Sequence, residues 1–355
     1  NAGSTAGKGI SANGTVTTNG GVLTVNATGA GLTSGNNRYT TKGIKADGNM
    51  ALNAGNITVI TTQAGAKAIK ANGTYTQGLT DGTGPTLYVK TSGARLTTGS
   101  SSSGGGGMGG KTTGSGGAAK GIKAVGTLTI YGGSTEIHTS ADGAEGLESK
   151  TTVDIQGGTH YMECYDDCIN SDGCVYFNGG VTVCYSTNND AVDSNYNRTG
   201  AITIGNGAVL AYSAAGGAEE GLDCDNDSYI QITGTGIGLS AGSTQGGGGG
   251  WGGSSGSTIS NAAQGYYLSK STIRYTAGSY YTLATSGGKN LVTYSFPTSI
   301  NSTTSLITAT GMVKGSSYTL KYSTTAPTDA TTAFHGLYLG STAAGTTAVT
   351  NFTAQ

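Results

Sequence analysis

Lys42-Gly43-Ile44-Lys45-Ala46-Asp47-Gly48 decides the fold, because it is one copy of a segment that returns along the chain. It stands earlier as Lys8-Gly9-Ile10-Ser11-Ala12-Asn13-Gly14, and later as Lys67-Ala68-Ile69-Lys70-Ala71-Asn72-Gly73 and Lys120-Gly121-Ile122-Lys123-Ala124-Val125-Gly126. Four further copies keep the pattern with acids in it: Glu145-Gly146-Leu147-Glu148-Ser149, Asp167-Cys168-Ile169-Asn170-Ser171, Asp190-Ala191-Val192-Asp193-Ser194 and Glu220-Gly221-Leu222-Asp223-Cys224. Start-to-start spacings are 34, 25, 53, 25, 22, 23 and 30 residues. A repeat of this period, with loops inserted in some turns, is the signature of a stacked architecture.

Each copy is followed by a second alternating run, a Gly-Gly turn and a third run, as in Leu128-Thr129-Ile130-Tyr131-Gly132-Gly133 and then Thr135-Glu136-Ile137-His138. Three short strands per turn describe an all-β parallel solenoid, in which every coil buries one face of its strands and lies about 4.8 Å from the next. Alternation within strands puts Ile10, Ile44, Ile69, Ile122, Leu147, Ile169, Val192 and Leu222 in one inward stack, with the small residues from Ala12 to Cys224 beside it. Asn13, Asp47, Asn72, Asp172, Asn195 and Asp225 recur at the following corner, where Asn and Asp suit a turn and can bond their copies one coil away.

The composition agrees. The 355 residues include 66 Gly and only three Pro, 35% are hydrophobic and 10% charged. Regularly recurring apolar residues exclude both a disordered and a collagen-like chain. Runs of strong helix formers are absent, and no stretch of about 18 apolar residues exists to span a membrane. The chain begins with Asn1, read as a processed, secreted protein, extracellular or at the cell surface. The repeat region is expected over residues 1–260, with Gly-rich insert loops at 99–117 (containing Met108) and 242–256 (containing Trp251). Residues 261–355 carry Tyr-rich alternation, such as Tyr280-Tyr281-Thr282-Leu283 and Tyr318-Thr319-Leu320-Lys321-Tyr322, and are expected to form an antiparallel β C-terminal cap over the last coil.

The recurring KGIKADG segment, the Gly-Gly turns, the Gly-rich inserts and the ending GTTAVTNFTAQ together resemble secreted bacterial proteins described as carbohydrate-binding domain-containing. The resemblance implies a right-handed parallel β-helix similar to pectate lyases, calcium held by acidic coils, and polysaccharide binding.

Net charge is −1, but its distribution is uneven. Residues 1–123 carry 11 Lys and Arg against two acids, residues 124–230 two against 16, and residues 231–355 five against one. In a solenoid, sequence order is height, so a basic end, an acidic middle and a mildly basic cap follow. Like charges stacked at the coil spacing repel by roughly 1 kcal/mol each in water, and Ca²⁺, which takes oxygen ligands, can sit between carboxylates of adjacent coils. The expected site combines Asp166, Asp167, Asp190, Glu219 and Glu220, with Asp193 and Asp223 on the neighbouring ladder and Glu145 with Glu148 as a second site. The competing reading is a solvated acidic face with sodium counterions.

Aligning the Gly-Gly turns puts His138, Glu163, Tyr185 and Tyr212 on one outward ladder, with Tyr161 beside it and Tyr131 and Tyr176 on the adjoining sheet. Flat aromatics beside acids suit sugar rings, although Tyr also simply favours strand surfaces. A lyase of this fold needs a basic residue beside calcium, and the acidic block holds only Lys150 and Arg198; no catalysis is expected. His160 is read as a core residue. Among Cys164, Cys168, Cys174, Cys184 and Cys224, Cys164 with Cys168 is the preferred bridge. No nucleic-acid motif appears. Two readings follow: a calcium-dependent binder of polysaccharide, acidic polysaccharide included, or a structural subunit of an extracellular filament that stacks head to tail into a homopolymer.

Overall fold

The computed structural model describes residues 6–35, 37–97, 117–215, 219–224, 227–242, 259, 261–269, 271–342 and 345–355. Most of the two Gly-rich inserts, Met108, Trp251 and Asp225 lie outside the described residues. Among the described residues there is no α-helix, and strands run from Lys8–Ala12 to Thr347–Thr353.

All eight copies of the repeated segment form one parallel sheet in chain order. Pairing is in register from copy to copy: Ile10 opposes Ile44, Ile44 opposes Ile69, Ile69 opposes Ile122, and the column continues through Leu147, Ile169 and Val192 to Leu222. From Ile44 to Leu222 this column is almost wholly buried, as are the small residues from Ala46 to Cys224 two positions on. Small side chains let the opposite wall approach, while branched ones fill the remaining space. At the corner, Asn72 Nδ2 donates to Asp47 Oδ1 one coil away at 2.7 Å.

The other two strands of each coil build a second parallel wall. Leu128–Ile130 pairs with Val153–Ile155, and Ser134–Thr139 with Thr159–Cys164; later coils continue through Val175–Phe177 with Val181–Ser186 and Ile202–Ile204 with Ala208–Ser213. The Gly-Gly corner between them is a backbone requirement: Gly133 has φ of 89°, and a Cβ there would lie 2.4 Å from the Pro85 carbonyl oxygen. In the first two coils the expected pair of strands is one 12-residue strand, Val16–Ala27 and Met50–Thr61, paired through a bulge near Asn19 to Val22. Gly20, Gly21 and Gly55 take positive φ at this bulge, where the regular ladder breaks before it resumes at Val22 opposite Asn56.

Past the last coil, Thr304–Thr308 pairs antiparallel with both Ile237–Gly242 and Tyr266–Ser269, which covers the coil's edge. A six-stranded antiparallel sheet, centred on Tyr280–Thr285, Asn290–Ser295 and Ser317–Ser323, does more than cover that end. Its Leu283, Tyr294, Phe296 and Leu320 share a second core with Val183, Leu210, Tyr212 and Leu239, which point outward from the late coils. The flank of those coils is apolar, so the C-terminal strands bury it as well as the end.

Candidate functional site

The outward face of the third strand of each coil carries two neighbouring ladders. In one, Lys90, His138, Glu163, Tyr185 and Tyr212 are successive register partners; in the other, Tyr88, Glu136, Tyr161, Val183 and Leu210 are. The parallel ladder therefore brings together side chains that are 22 to 48 residues apart in sequence. His138 lies between Tyr88 and Tyr161, with ring centroids at 5.8 and 6.0 Å. His138 Nε2 is 2.7 Å from Glu136 Oε1, and its Nδ1 is 3.6 Å from Glu163 Oε2. Tyr161 donates its hydroxyl to Glu163 Oε2 at 3.2 Å. Burial, and then the Glu163 charge, push the Tyr161 phenol up, and the same two causes raise Tyr185. Both therefore remain neutral donors at any ordinary pH.

The C-terminal strands complete this patch. His335 stacks on Tyr161 with centroids 3.7 Å apart and planes 7° from parallel. Its φ of 42° is the one positive value at a non-glycine among the described residues, a conformation that costs energy and is held by its surroundings. Burial lowers the His335 pKa. The far end of the strip is closed: Tyr212 is 1% exposed, stacked by Tyr185 at 4.8 Å and met edge-on by Phe296 at 4.8 Å. Tyr212 thus sits in the second core, and the half-buried face runs through Tyr88, His138, Tyr161, Glu163 and Tyr185, with Glu136 exposed beside them. Tyr131 and Tyr176 lie on the other side of the Gly-Gly corner, Tyr176 between Asp154 and Thr203 on its ladder. Tyr88 and Glu136 escaped sequence reasoning although they follow the same alternation. The 53-residue spacing hid the coil that holds Tyr88, and His335 had no repeat to mark it.

The acidic residues divide into two groups. Glu145 and Glu148 meet lysines: Lys120 Nζ is 2.5 Å from Glu145 Oε1, and Glu148 Oε1 receives Lys123 at 2.7 Å and Lys150 at 2.8 Å. Asp167 and Asp190 are buried on adjacent coils. Asp167 accepts from Asn170 at 2.8 Å and Asn189 at 2.6 Å, and Asp190 from the Glu220 backbone N–H at 2.5 Å. Asn170 also donates to Asp193 at 3.0 Å. Burial, then Asp193, Asp166 and Glu145, push the Asp167 carboxyl well above its usual range; burial, then Asp223 and Asp167, do the same to Asp190, where Glu219 adds to the effect. Among the described residues no three His, Cys, Asp or Glu side chains are placed to hold a metal ion together.

His160 is fully buried, with Nε2 2.7 Å from the Gly157 carbonyl oxygen, as its alternation requires. All five cysteines are free thiols, so the preferred Cys164–Cys168 bridge is not formed. Cys164 and Cys168 both face the core, where Cys168 Sγ donates to the Met162 carbonyl at 3.4 Å. Arg198 is exposed in its turn, and no carboxylate lies within ion-pair distance of it among the described residues.

No curated protein and no solved structure matches the chain. A family profile described as carbohydrate-binding domain-containing protein does match, over residues 4–191, a span that runs from the first coil through Asp190. That span is more than half of the 355 residues and includes Tyr88, Glu136, His138, Tyr161, Glu163 and Tyr185. The chain belongs to the carbohydrate-binding domain-containing protein family.

Proposed function

We propose that this protein is a non-catalytic, secreted polysaccharide-binding surface protein, and that sugar rings lie along the patch formed by Tyr88, His138, Tyr161 and Tyr185. The observation that carries this reading is the ladder of half-buried rings flanked by Glu136 and Glu163. Stacked coils repeat their outward groups at a constant rise, and a polysaccharide repeats its rings in the same manner. Carboxylates beside the rings accept hydrogen bonds from sugar hydroxyls. The coil is taken as right-handed, following the hand that parallel strand connections favour, with residues 1–260 as one domain and 261–355 as the other. Affinity electrophoresis through polysaccharide gels tests the reading: retardation by at least one glycan should be lost in Tyr161→Ala and in Tyr185→Ala. Equal retardation of both variants and the parent would remove the site.

Calcium belongs to this proposal at the Asp167–Asp190 column. The support is the donor chemistry, since stacked carboxylates supply the oxygens that Ca²⁺ takes. No step of glycan binding is routed through the ion.

The second reading is head-to-tail assembly, favoured by the bare start of the stack. Among the described residues Lys8–Ala12 and Val16–Ala27 each pair on one side only, and Val22 is 81% exposed.

A further inference from the structure

A face of Tyr161 on which a sugar could stack is already covered. His335 lies on it with ring centroids 3.7 Å apart and planes 7° from parallel, and Tyr161 also packs against the second core. The covering ring comes from a hairpin. Thr332–Phe334 pairs antiparallel with Leu337–Leu339, and the two residues between, His335 and Gly336, have φ of 42° and 88°. The preferred pair for a two-residue turn with positive φ at both centres is Asn-Gly; His is tolerated there, yet the turn does not call for an aromatic ring. The turn's backbone is fixed, because the Ser295 N–H donates to the Gly336 carbonyl at 2.7 Å, and a Cβ on Gly336 would lie 2.5 Å from the Ser295 carbonyl oxygen. The imidazole is held differently. No hydrogen bond joins its nitrogens to another described residue, and its partners are the Tyr161 face and the Phe334 ring, edge-on at 4.7 Å. His335 is exposed on its outer side. Rotation of this one side chain frees the Tyr161 face without unfolding the hairpin. His138 is unlike it, since its ring nitrogens face Glu136 and Glu163 and it meets Tyr161 only by an edge.

We propose that His335 is the gate of the glycan site: its imidazole holds the place of a sugar ring on Tyr161, and a polysaccharide binds there by displacing it. The inference rests on the glycan-binding reading and adds its regulation. A flat imidazole and the CH face of a pyranose both stack on a phenol ring, so each excludes the other. The affinity measured is then the intrinsic one reduced by the fraction of molecules whose ring is displaced, and one aromatic stack biases that fraction about two- to tenfold. Ligands too short to reach past Tyr161 break the stack without offsetting it elsewhere on the patch, so the gate selects for longer chains.

The chain has three histidines, His138, His160 and His335, so ring-labelled histidine gives three sets of NMR signals, and the set missing from His335→Gly belongs to His335. Gly and Asn both suit the turn's backbone, so His335→Gly and His335→Asn remove the ring without straining the turn. Binding is read by affinity electrophoresis of the full chain through xylan, a neutral β-glucan and polygalacturonate. In the free parent the His335 signals are expected upfield, shifted by the Tyr161 ring, and to move back downfield as a retarding glycan is added. Both variants are expected to bind that glycan about two- to tenfold more tightly than the parent. His335 signals that stay in place while the glycan binds, or variants that bind equally or more weakly, overturn the gate; the patch still stands if Tyr161→Ala abolishes retardation. If none of the three glycans retards the parent or either variant, the binding reading falls and the gate with it.

Discussion

Lys120 and Glu145 are register partners on adjacent parallel strands, and Lys120 Nζ lies 2.5 Å from Glu145 Oε1. The pair marks the level at which the chain's charge reverses. Below it lysine faces lysine from coil to coil; above it carboxylates follow one another. A slip at this seam would set Lys120 and Lys123 against the wrong partners, so the reversal fixes the axial order of the stack.

Glu148 is the keystone of that seam, and its removal has a defined cost. Burial presses its carboxyl upward, but Lys120, Lys123 and the hydrogen bonds from Lys123 and Lys150 outweigh it and hold the pKa at about 2. A depressed carboxyl contributes stability that is present above its unfolded pKa of about 4.5 and lost as pH falls toward 2. Glu148→Gln takes from Lys123 the carboxylate it pairs with, while Lys120 keeps Glu145 and Lys150 keeps Asp172, and is expected to cost about 3 kcal/mol at pH 7. Urea unfolding at pH 7 and pH 3 checks this, with the difference between variant and parent shrinking at pH 3.

Lys67 responds in the opposite sense. Its folded pKa of about 7 lies below the ordinary 10.5, so between these values the unfolded chain binds the proton more readily. Its penalty is greatest below pH 7 and fades as pH rises toward 10.5. Lys67→Met is therefore expected to raise the melting temperature at pH 6 and to change it little at pH 10. An equal shift at both pH values would assign the effect to packing alone.

The inward column was legible in the sequence because a strand has period two and the segment itself recurs whatever the length of chain between copies. Ile44, Ile69, Ile122 and Ile169 are each fully buried where that alternation puts them. The ladder joining His138, Glu163, Tyr185 and Tyr212 followed from aligning Gly-Gly corners and holds in the register. What the repeat cannot encode is a partner outside it. The burial of Tyr212 depends on Phe296, and the stacking of Tyr161 on His335, both from the part of the chain where the period has ended. Likewise, Lys150 is matched to Glu148 through the exposed turn rather than through strand register.

Tyr212 and Tyr185 share one ladder but should behave differently. Tyr212→Ala opens a cavity beneath Phe296 and is expected to destabilise the fold by about 3–5 kcal/mol. Tyr185→Ala removes a half-buried ring and should cost less stability while weakening glycan retardation. Thermal unfolding and affinity electrophoresis of the two variants, run side by side, separate the roles.

The acidic column offers a test in which calcium and proton have opposite consequences. Asp167 and Asp190 have folded pKa values raised above the unfolded value, so their stabilising contribution is full below about pH 3.8 and declines as pH rises through the raised values. Without added metal, Asp167→Asn with Asp190→Asn is therefore expected to match or exceed the parent's melting temperature at pH 8. If calcium binds the column, millimolar Ca²⁺ raises the parent's melting temperature and leaves the variant's unchanged. A parent indifferent to Ca²⁺ removes the ion from the proposed function.

Assembly is decided at the opposite end of the molecule. Lys8–Ala12 pairs only with Lys42–Ala46, and Val16–Ala27 only with Met50–Thr61, so one edge of each first strand has no ladder partner among the described residues. Such an edge is a template for a further strand. In the second wall the corresponding edge of the last coil is already taken, since Thr304–Thr308 pairs with Ile237–Gly242, whereas Leu222–Asp223 is the terminal strand of the first sheet among the described residues. A head-to-tail joint would therefore set the bare first strands on the opposite end of the next copy, giving an open, heterologous contact. Charge adds to it, because residues 1–123 are basic, but the strand edge is independent of charge; added salt should slow assembly without abolishing it. The comparison is between the full chain and a truncation lacking residues 1–14, by light scattering and electron microscopy at low and high salt. Filaments from the full chain and none from the truncation are expected. If both stay monomeric at every concentration, the bare edge has another occupant and the filament reading falls.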